Sequence, residues 1–170
     1  QHDASFHPKG KKVALLGAGG AARAVAVSLC QAGIKALTIT DIDHKKAQAL
    51  AKHLLANFPI HIQTDTPESI KLQEKIAIAD LLVNTTPIGM HPNEDDSPTY
   101  VKIPKGILVY DLVYNPQDTA LLKRAKKEGA RTISGIHMLI RQGALAFQIF
   151  TGKEAPFTVM KKAALSALNH

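Results

Sequence analysis

The stretch Val13-Ala14-Leu15-Leu16-Gly17-Ala18-Gly19-Gly20-Ala21-Ala22, extended through a helical pattern to Thr40-Asp41, decides the fold. Four apolar residues run straight into the glycines, and Ala22, Val25, Ala26 and Leu29 then recur on one face of a helix. This is a strand, a tight turn and a helix. The glycines match G-x-G-x-x-A, in which one glycine permits the turn, the next lets backbone approach a pyrophosphate, and Ala22 lets the helix sit close on the strand. The unpaired N–H groups of the helix start then face the anion. Gly33 ends the helix, Ala36-Leu37-Thr38-Ile39-Thr40 reads as a second strand, and Asp41 stands where a ribose-binding carboxylate is expected. Strand, glycines, helix and acid together point to dinucleotide binding rather than to a plain βαβ unit.

The pattern continues outward on both sides. Asp43 is placed to cap a second helix with the stripe Ala47, Leu50, Ala51, Leu54 and Leu55, which leaves Asp41 for the ligand. Residues 58–64 alternate apolar and polar as an edge or half-buried strand, and Pro67-Glu68-Ser69 opens a helix to Ile78. Residues 79–84 form a buried strand that enters the loop Thr85-Thr86-Pro87-Ile88-Gly89-Met90. The polar run 91–99 reads as a mobile surface loop. A strand at 107–110 leads into Asp111-Leu112-Val113-Tyr114-Asn115-Pro116; Asp118 or Thr119 caps the next helix, and residues 130–133 form a last strand. Strands alternating with helices predict a doubly wound α/β fold with a parallel, Rossmann-like sheet over residues 13–152. Beyond it lie a long helix from about His137 to Phe150 and a final amphipathic helix within 153–170.

Composition narrows the classes. At 170 residues the chain can bury a core without metal or disulfide, and no apolar run approaches the roughly 20 residues that span a bilayer. Cys30 lies among Ala and Leu as a small buried side chain, which suits a reducing, cytoplasmic setting. The charge of +7 is scattered in short groups, and three Tyr, five Phe and no Trp leave little for base stacking, so nucleic acid is not an expected partner. None of the eight histidines has metal-ligand spacing to a second ligand, so no metal site is expected. Residues 1–12 look like a leader or linker remnant, and the chain like a fragment of something longer.

In an open parallel sheet the ligand lies beyond the carboxyl ends of the strands, so the loops at 17–22, 41–44, 84–90 and 111–116 are where chemistry gathers. Gly17-Ala18-Gly19-Gly20-Ala21-Ala22-Arg23, Asn84-Thr85-Thr86-Pro87-Ile88-Gly89-Met90, Asp111-Leu112-Val113-Tyr114-Asn115-Pro116 and Gly135-Ile136-His137-Met138-Leu139-Ile140-Arg141-Gln142-Gly143-Ala144, in this order, resemble the nucleotide-binding half of the shikimate/quinate dehydrogenase family. The resemblance implies that Gly17, Gly19, Gly20 and Ala21 hold a pyrophosphate and that Thr85, Thr86 and Pro87 lie along the nicotinamide-side ribose. It implies that Val113, Gly135 and Met138 lie at the nicotinamide, Tyr114 near the carboxylate of a small substrate of the shikimate or quinate class, and Gln142 on a substrate hydroxyl. Met138 as ordinary core, Tyr114 as strand-end packing and Gln142 as a solvated residue are the plainer readings.

Thr40-Asp41-Ile42-Asp43-His44 is similar to the NAD-preferring branch, whereas NADP users of the family resemble one another in a basic turn at this place. NAD is therefore the expected cofactor, with NADP possible. The family's catalytic Lys–Asp pair resides in an N-terminal substrate domain, so no catalytic residue is carried onto this chain, and cofactor binding without turnover is expected. The last helix resembles the one that returns to that domain; left bare, its apolar stripe favours self-association. A stand-alone NAD(H)-binding sensor is the alternative.

Overall fold

The computed structural model describes residues 5–168, so the first four residues of the expected leader and the last two of the expected tail lie outside the described residues. The strands are β1 (Lys12–Leu16), β2 (Ala36–Thr40), β3 (His61–Asp65), β4 (Leu81–Asn84), β5 (Leu108–Asp111) and β6 (Arg131–Ser134). The helices are α1 (Gly20–Gln31), α2 (His44–Leu55), α3 (Ile70–Ala77), α4 (Ala120–Lys127), α5 (Ile136–Thr151) and α6 (Phe157–Ala167). All strand pairs are parallel, in the order β3-β2-β1-β4-β5-β6. The chain starts in the middle, winds outward over one face, returns, and winds outward over the other. The winding reverses between β1 and β4, and that reversal leaves a crevice beyond their carboxyl ends.

Side chains alternate across the sheet with period two, which divides the core into two layers. Val13, Leu15, Leu37 and Ile39 pack with Ala22 and Ala26 of α1 and Leu50 and Leu54 of α2. Ala14, Leu16, Leu82 and Val109 face the other way, onto Leu72 and Ile76 of α3 and Leu121 and Leu122 of α4. Burying one such leucine contributes about 1.5–3 kcal/mol, so the central strands are anchored from both faces. Cys30 belongs to the first layer, and burial pushes its thiol above the ordinary value.

Several boundaries differ from the sequence expectation for physical reasons. Leu55, counted in the α2 stripe, is exposed, because it lies one residue past Leu54 and is turned about 100° around the helix. The third strand begins at His61 rather than residue 58: Phe58 N–H still bonds the Leu54 carbonyl at 2.8 Å, closing α2, and Pro59 has no N–H for a ladder. Of the two cap candidates for α4, Thr119 Oγ1 accepts the Leu122 N–H at 3.3 Å, while Asp118 pairs with Lys126 Nζ at 2.7 Å. Residues 6–12, read as leader or linker, pack on the domain: Phe6 rests on the first core layer and Gly10 N–H bonds the Gly33 carbonyl at 2.8 Å. The run 91–99, expected to be mobile, is exposed only in its first six residues; Ser97 and Thr99 are buried, and Arg124 donates to the Thr99 carbonyl at 2.6 Å.

The long helix and its successor behave differently from the rest. α6 packs on α5 and buries none of its own residues, leaving Leu145, Ile149, Phe150 and Val159 in solvent. Among the described residues no helix is long and apolar enough to cross a membrane.

Candidate dinucleotide site at the carboxyl edge of the sheet

The site is a row of loops in which each holds the next. At the β1–α1 turn Gly17 has φ +102°, a conformation that side chains rarely adopt, and a Cβ placed there would lie 2.7 Å from Thr85 Oγ1 and 3.1 Å from Thr86 Cγ2. Glycine at this position lets the β4 loop close against the turn. Thr85 seals the junction by donating both its N–H (2.9 Å) and its hydroxyl (2.7 Å) to the Leu16 carbonyl.

Gly19 and Gly20 are different. A Cβ at either meets nothing within 4 Å, and both are exposed at the start of α1. Arg23 N–H makes the first α-helical bond, to the Gly19 carbonyl at 3.0 Å; the N–H groups of Gly20, Ala21 and Ala22 precede it and point out of the helix end. No acidic side chain sits in that first turn. The open space and the positive end of the helix dipole coincide, which suits a phosphate or pyrophosphate.

On one side of the turn Asp41 is fixed by backbone. Its Oδ2 accepts the Ala18 N–H at 2.7 Å and its Oδ1 accepts the Asp43 N–H at 2.9 Å. The carboxylate thus clasps the glycine turn to the end of β2, and each oxygen keeps a further lone pair for a ligand hydroxyl. Asp43 caps α2 by accepting the Lys45 N–H at 3.1 Å, the division of labour expected from the sequence.

On the other side lies a buried polar group that the sequence reading passed over. Asn84 and Asp111, the last residues of β4 and β5, are both 0 % exposed and level with each other in the sheet. Asn84 Nδ2 donates to Asp111 Oδ1 at 2.8 Å, and the Val113 N–H donates to the same oxygen at 3.0 Å. Thr119 Oγ1 donates to Asp111 Oδ2 at 2.7 Å. Asn84 Oδ1 accepts the Thr86 hydroxyl at 2.7 Å and the Thr86 N–H at 3.0 Å. Burial pushes the Asp111 carboxyl above its ordinary value, against the downward pull of these three donors. The available signal was a polar residue closing an otherwise apolar strand; one sequence does not say that two such ends meet.

Gly135 completes the row. A Cβ there would fall 2.0 Å from the Leu112 carbonyl oxygen and 2.9 Å from that of Val113, and the Gly135 N–H donates to the Val113 carbonyl at 3.2 Å. The structure thus brings Asp41, Gly17, Thr85, Thr86, Val113 and Gly135 into one chain of contacts, with Gly19, Gly20 and Ala21 open beside it. Val113 is buried, Pro87 exposed, and Met138 packs partly against the first core layer. Tyr114 (38 % exposed) and Gln142 of α5 face solvent. A hollow lined by Lys12, Lys35, Leu37, His61, Lys75 and Ile78 lies at the opposite, amino ends of β1 to β3 and shares no residue with these loops.

Comparison with known proteins agrees with this geometry. The profile described as Shikimate / quinate 5-dehydrogenase matches residues 2–88, and that of the Shikimate 5'-dehydrogenase C-terminal domain matches residues 135–165. A shikimate dehydrogenase (NADP(+)) of Methanopyrus kandleri is 42% identical over 165 residues, covering 96% of this chain and 57% of that protein. The structure of shikimate 5-dehydrogenase from Listeria monocytogenes in complex with shikimate and NAD superposes with a TM-score of 0.84 at 31% identity, over 91% of this chain and 56% of that one. Quinate dehydrogenase from Corynebacterium glutamicum in complex with NAD gives 0.82 at 36% identity, over 93% and 56%. The chain therefore spans a little over half the length of these relatives. Two profiles, the shared sheet and the shared loops lead to one conclusion: the chain belongs to the shikimate/quinate dehydrogenase family.

Proposed function

We propose that this chain is the dinucleotide-binding part of a shikimate/quinate dehydrogenase and that it binds NAD(H) in preference to NADP(H). The observation that carries the proposal is the pairing of an open helix start at Gly19 and Gly20 with a carboxylate, Asp41, held at its edge by the Ala18 amide. Gly17, Gly19, Gly20 and Ala21 would hold the pyrophosphate, Asp41 the adenosine ribose, and Thr85, Thr86 and Pro87 the nicotinamide-side ribose. Val113, Gly135 and Met138 would face the nicotinamide, with Tyr114 and Gln142 reaching a substrate of the shikimate or quinate class. The bound nicotinamide supplies hydride transfer to or from the ring carbinol. The chain's own contribution would be to bind and orient it; the resemblance implies that the family's proton-handling Lys–Asp pair belongs to a substrate domain, and no catalytic residue is carried onto this chain.

The cofactor preference follows from charge. A carboxylate accepts bonds from ribose hydroxyls but meets a 2′-phosphate at about 4 Å, and like charges at an effective dielectric near 20 repel by about 4 kcal/mol. Lys45 and Lys46 soften that; Lys46 Nζ lies 3.9 Å from Asp43 rather than on Asp41. The net preference is about 100-fold for NADH. The named relative from Methanopyrus uses NADP(+) by its description and the two structures hold NAD, so relatives of both kinds surround this chain. Fluorescence titration of the 170-residue chain decides it: tighter NADH than NADPH is expected, and equal or reversed affinities overturn the preference. Binding of neither overturns the site, and measurable shikimate or quinate oxidation by the chain alone overturns the assignment of turnover to a further domain.

A further inference from the structure

We infer that Asn84 and Asp111 are positioning residues: together they form a latch of fixed hydrogen-bond direction that makes the Thr85–Thr86–Pro87 loop and the Val113–Gly135 junction move as one. The inference rests on the proposed dinucleotide site for its functional consequence and on geometry alone for the coupling.

The bonds of the latch run toward Asp111, except that Asn84 Nδ2 also donates back to the Ile88 carbonyl at 3.4 Å. Thr86 donates twice to Asn84 Oδ1, Asn84 Nδ2 donates to Asp111 Oδ1, and Thr119 and Val113 donate to the two carboxyl oxygens. Asn84 accepts from the Thr86 loop through its oxygen and donates to the neighbouring strand through its nitrogen, which an amide does and an ionised carboxylate does not. Asp111 is the common acceptor on which three segments converge: β4, the β5 loop, and the N-cap of α4, where Thr119 Oγ1 also takes the Leu122 N–H. The residues level with Asp111 on the flanking strands are Asn84 and Ser134, and its three donors are all neutral. From the latch outward, Thr86 leans on Gly17 and the Val113 carbonyl receives the Gly135 N–H. A shift at either end is transmitted through one buried pair. Both loops border the place proposed for the nicotinamide half of the cofactor, so holding them in register is what the latch would contribute to binding.

The experiment uses three variants of the chain, with NADH titration and amide hydrogen exchange as readouts. Asn84→Asp sets two carboxyls where 2.8 Å now separates an amide from a carboxylate. They must share a proton, so the latch persists at low pH and opens as that proton leaves. The expected result is an NADH affinity that falls at least 10-fold between about pH 5 and pH 8 while the parent changes little, with protection against exchange, relative to the intrinsic rate at each pH, falling at 86, 88 and 113 in the variant but not in the parent. The double variant Asn84→Asp/Asp111→Asn restores one donor and one acceptor between the strands but leaves the Val113 N–H without its acceptor, so the pH dependence of affinity should vanish while exchange at 113 stays fast. Thr119→Val, which makes no hydrogen bond to Thr86 and keeps the methyl that lies beside Gly89, should still quicken exchange at Thr86. A merely structural role would lower the melting temperature of Asn84→Asp without pH-dependent affinity and without rescue by the double variant. Protection lost at 86 and 88 alone, with 113 unchanged, overturns the coupling. If the parent binds neither NADH nor NADPH, the proposed function falls, and the exchange data by themselves still decide whether the latch exists.

Discussion

Substituting Gly20 by alanine should move stability and cofactor affinity in opposite directions. Gly20 is the first residue of α1, and a Cβ built on it meets nothing within 4 Å, so the protein itself accommodates the methyl. Alanine in a compatible helical conformation stabilises by about 0.4–1 kcal/mol, chiefly by restricting the unfolded chain. For a domain of this size that raises the melting temperature by about 1–4 °C. The same methyl occupies the space through which a pyrophosphate would approach the α1 N–H groups. Displacing the anion by an ångström weakens charge-assisted hydrogen bonds worth about 1.5–3 kcal/mol each, so NADH affinity should drop about 10- to 100-fold. Calorimetry and a fluorescence titration on the same preparation read both quantities. Unchanged affinity in a stabilised variant would refute the placement of the pyrophosphate at this turn. A destabilised variant would refute the geometry of the turn itself.

Gly135→Ala makes the contrasting case: its Cβ falls 2.0 Å from a backbone carbonyl oxygen that cannot turn aside. A cost of about 3 kcal/mol is expected, read as a melting temperature lower by about 6–12 °C. Asp80 accepts the Lys12 N–H and the Lys11 ammonium, both at 2.9 Å; burial raises its pKa, but these partners outweigh burial and lower it from 3.8. With the folded value below the unfolded one, its stabilisation is present above pH 3.8 and is lost as pH falls through the lowered value. Asp80→Asn should therefore lose stability at pH 7 and differ little from the parent in strong acid, by chemical denaturation at each pH. The apolar stripe of the last helix, expected to drive self-association, leaves Val159 of α6 exposed and lies beside exposed Ile149 and Phe150 of α5, so light scattering should show mass rising with concentration. Phe150→Glu should hold the chain as a monomer, and a parent that is monomeric at high concentration would remove the self-association reading.

How much was readable in advance depends on how local each cause is. The glycine turn, α1 and the cap at Asp43 rest on neighbours within a few residues, and the structure forms them where the sequence places them. Gly17 and Gly135 were read as cofactor contacts, yet each is also required by a protein neighbour far along the chain, Thr85 in one case and Leu112 in the other. Met138 divides similarly, since it packs partly on the core while retaining exposure.

The sequence alone determined the order of strands and helices, the parallel sheet they must form and the carboxyl-edge loops, because periodicity, turn residues and caps act over one or two turns of chain. Only the tertiary structure decided which strand ends stand side by side. The sheet order sets β4 between β1 and β5, so Asn84 meets Asp111 across 27 residues of chain and Thr85 meets Leu16 across 69. A buried carboxylate is tolerated only where donors converge on it, and that convergence is a property of strand pairing rather than of any segment.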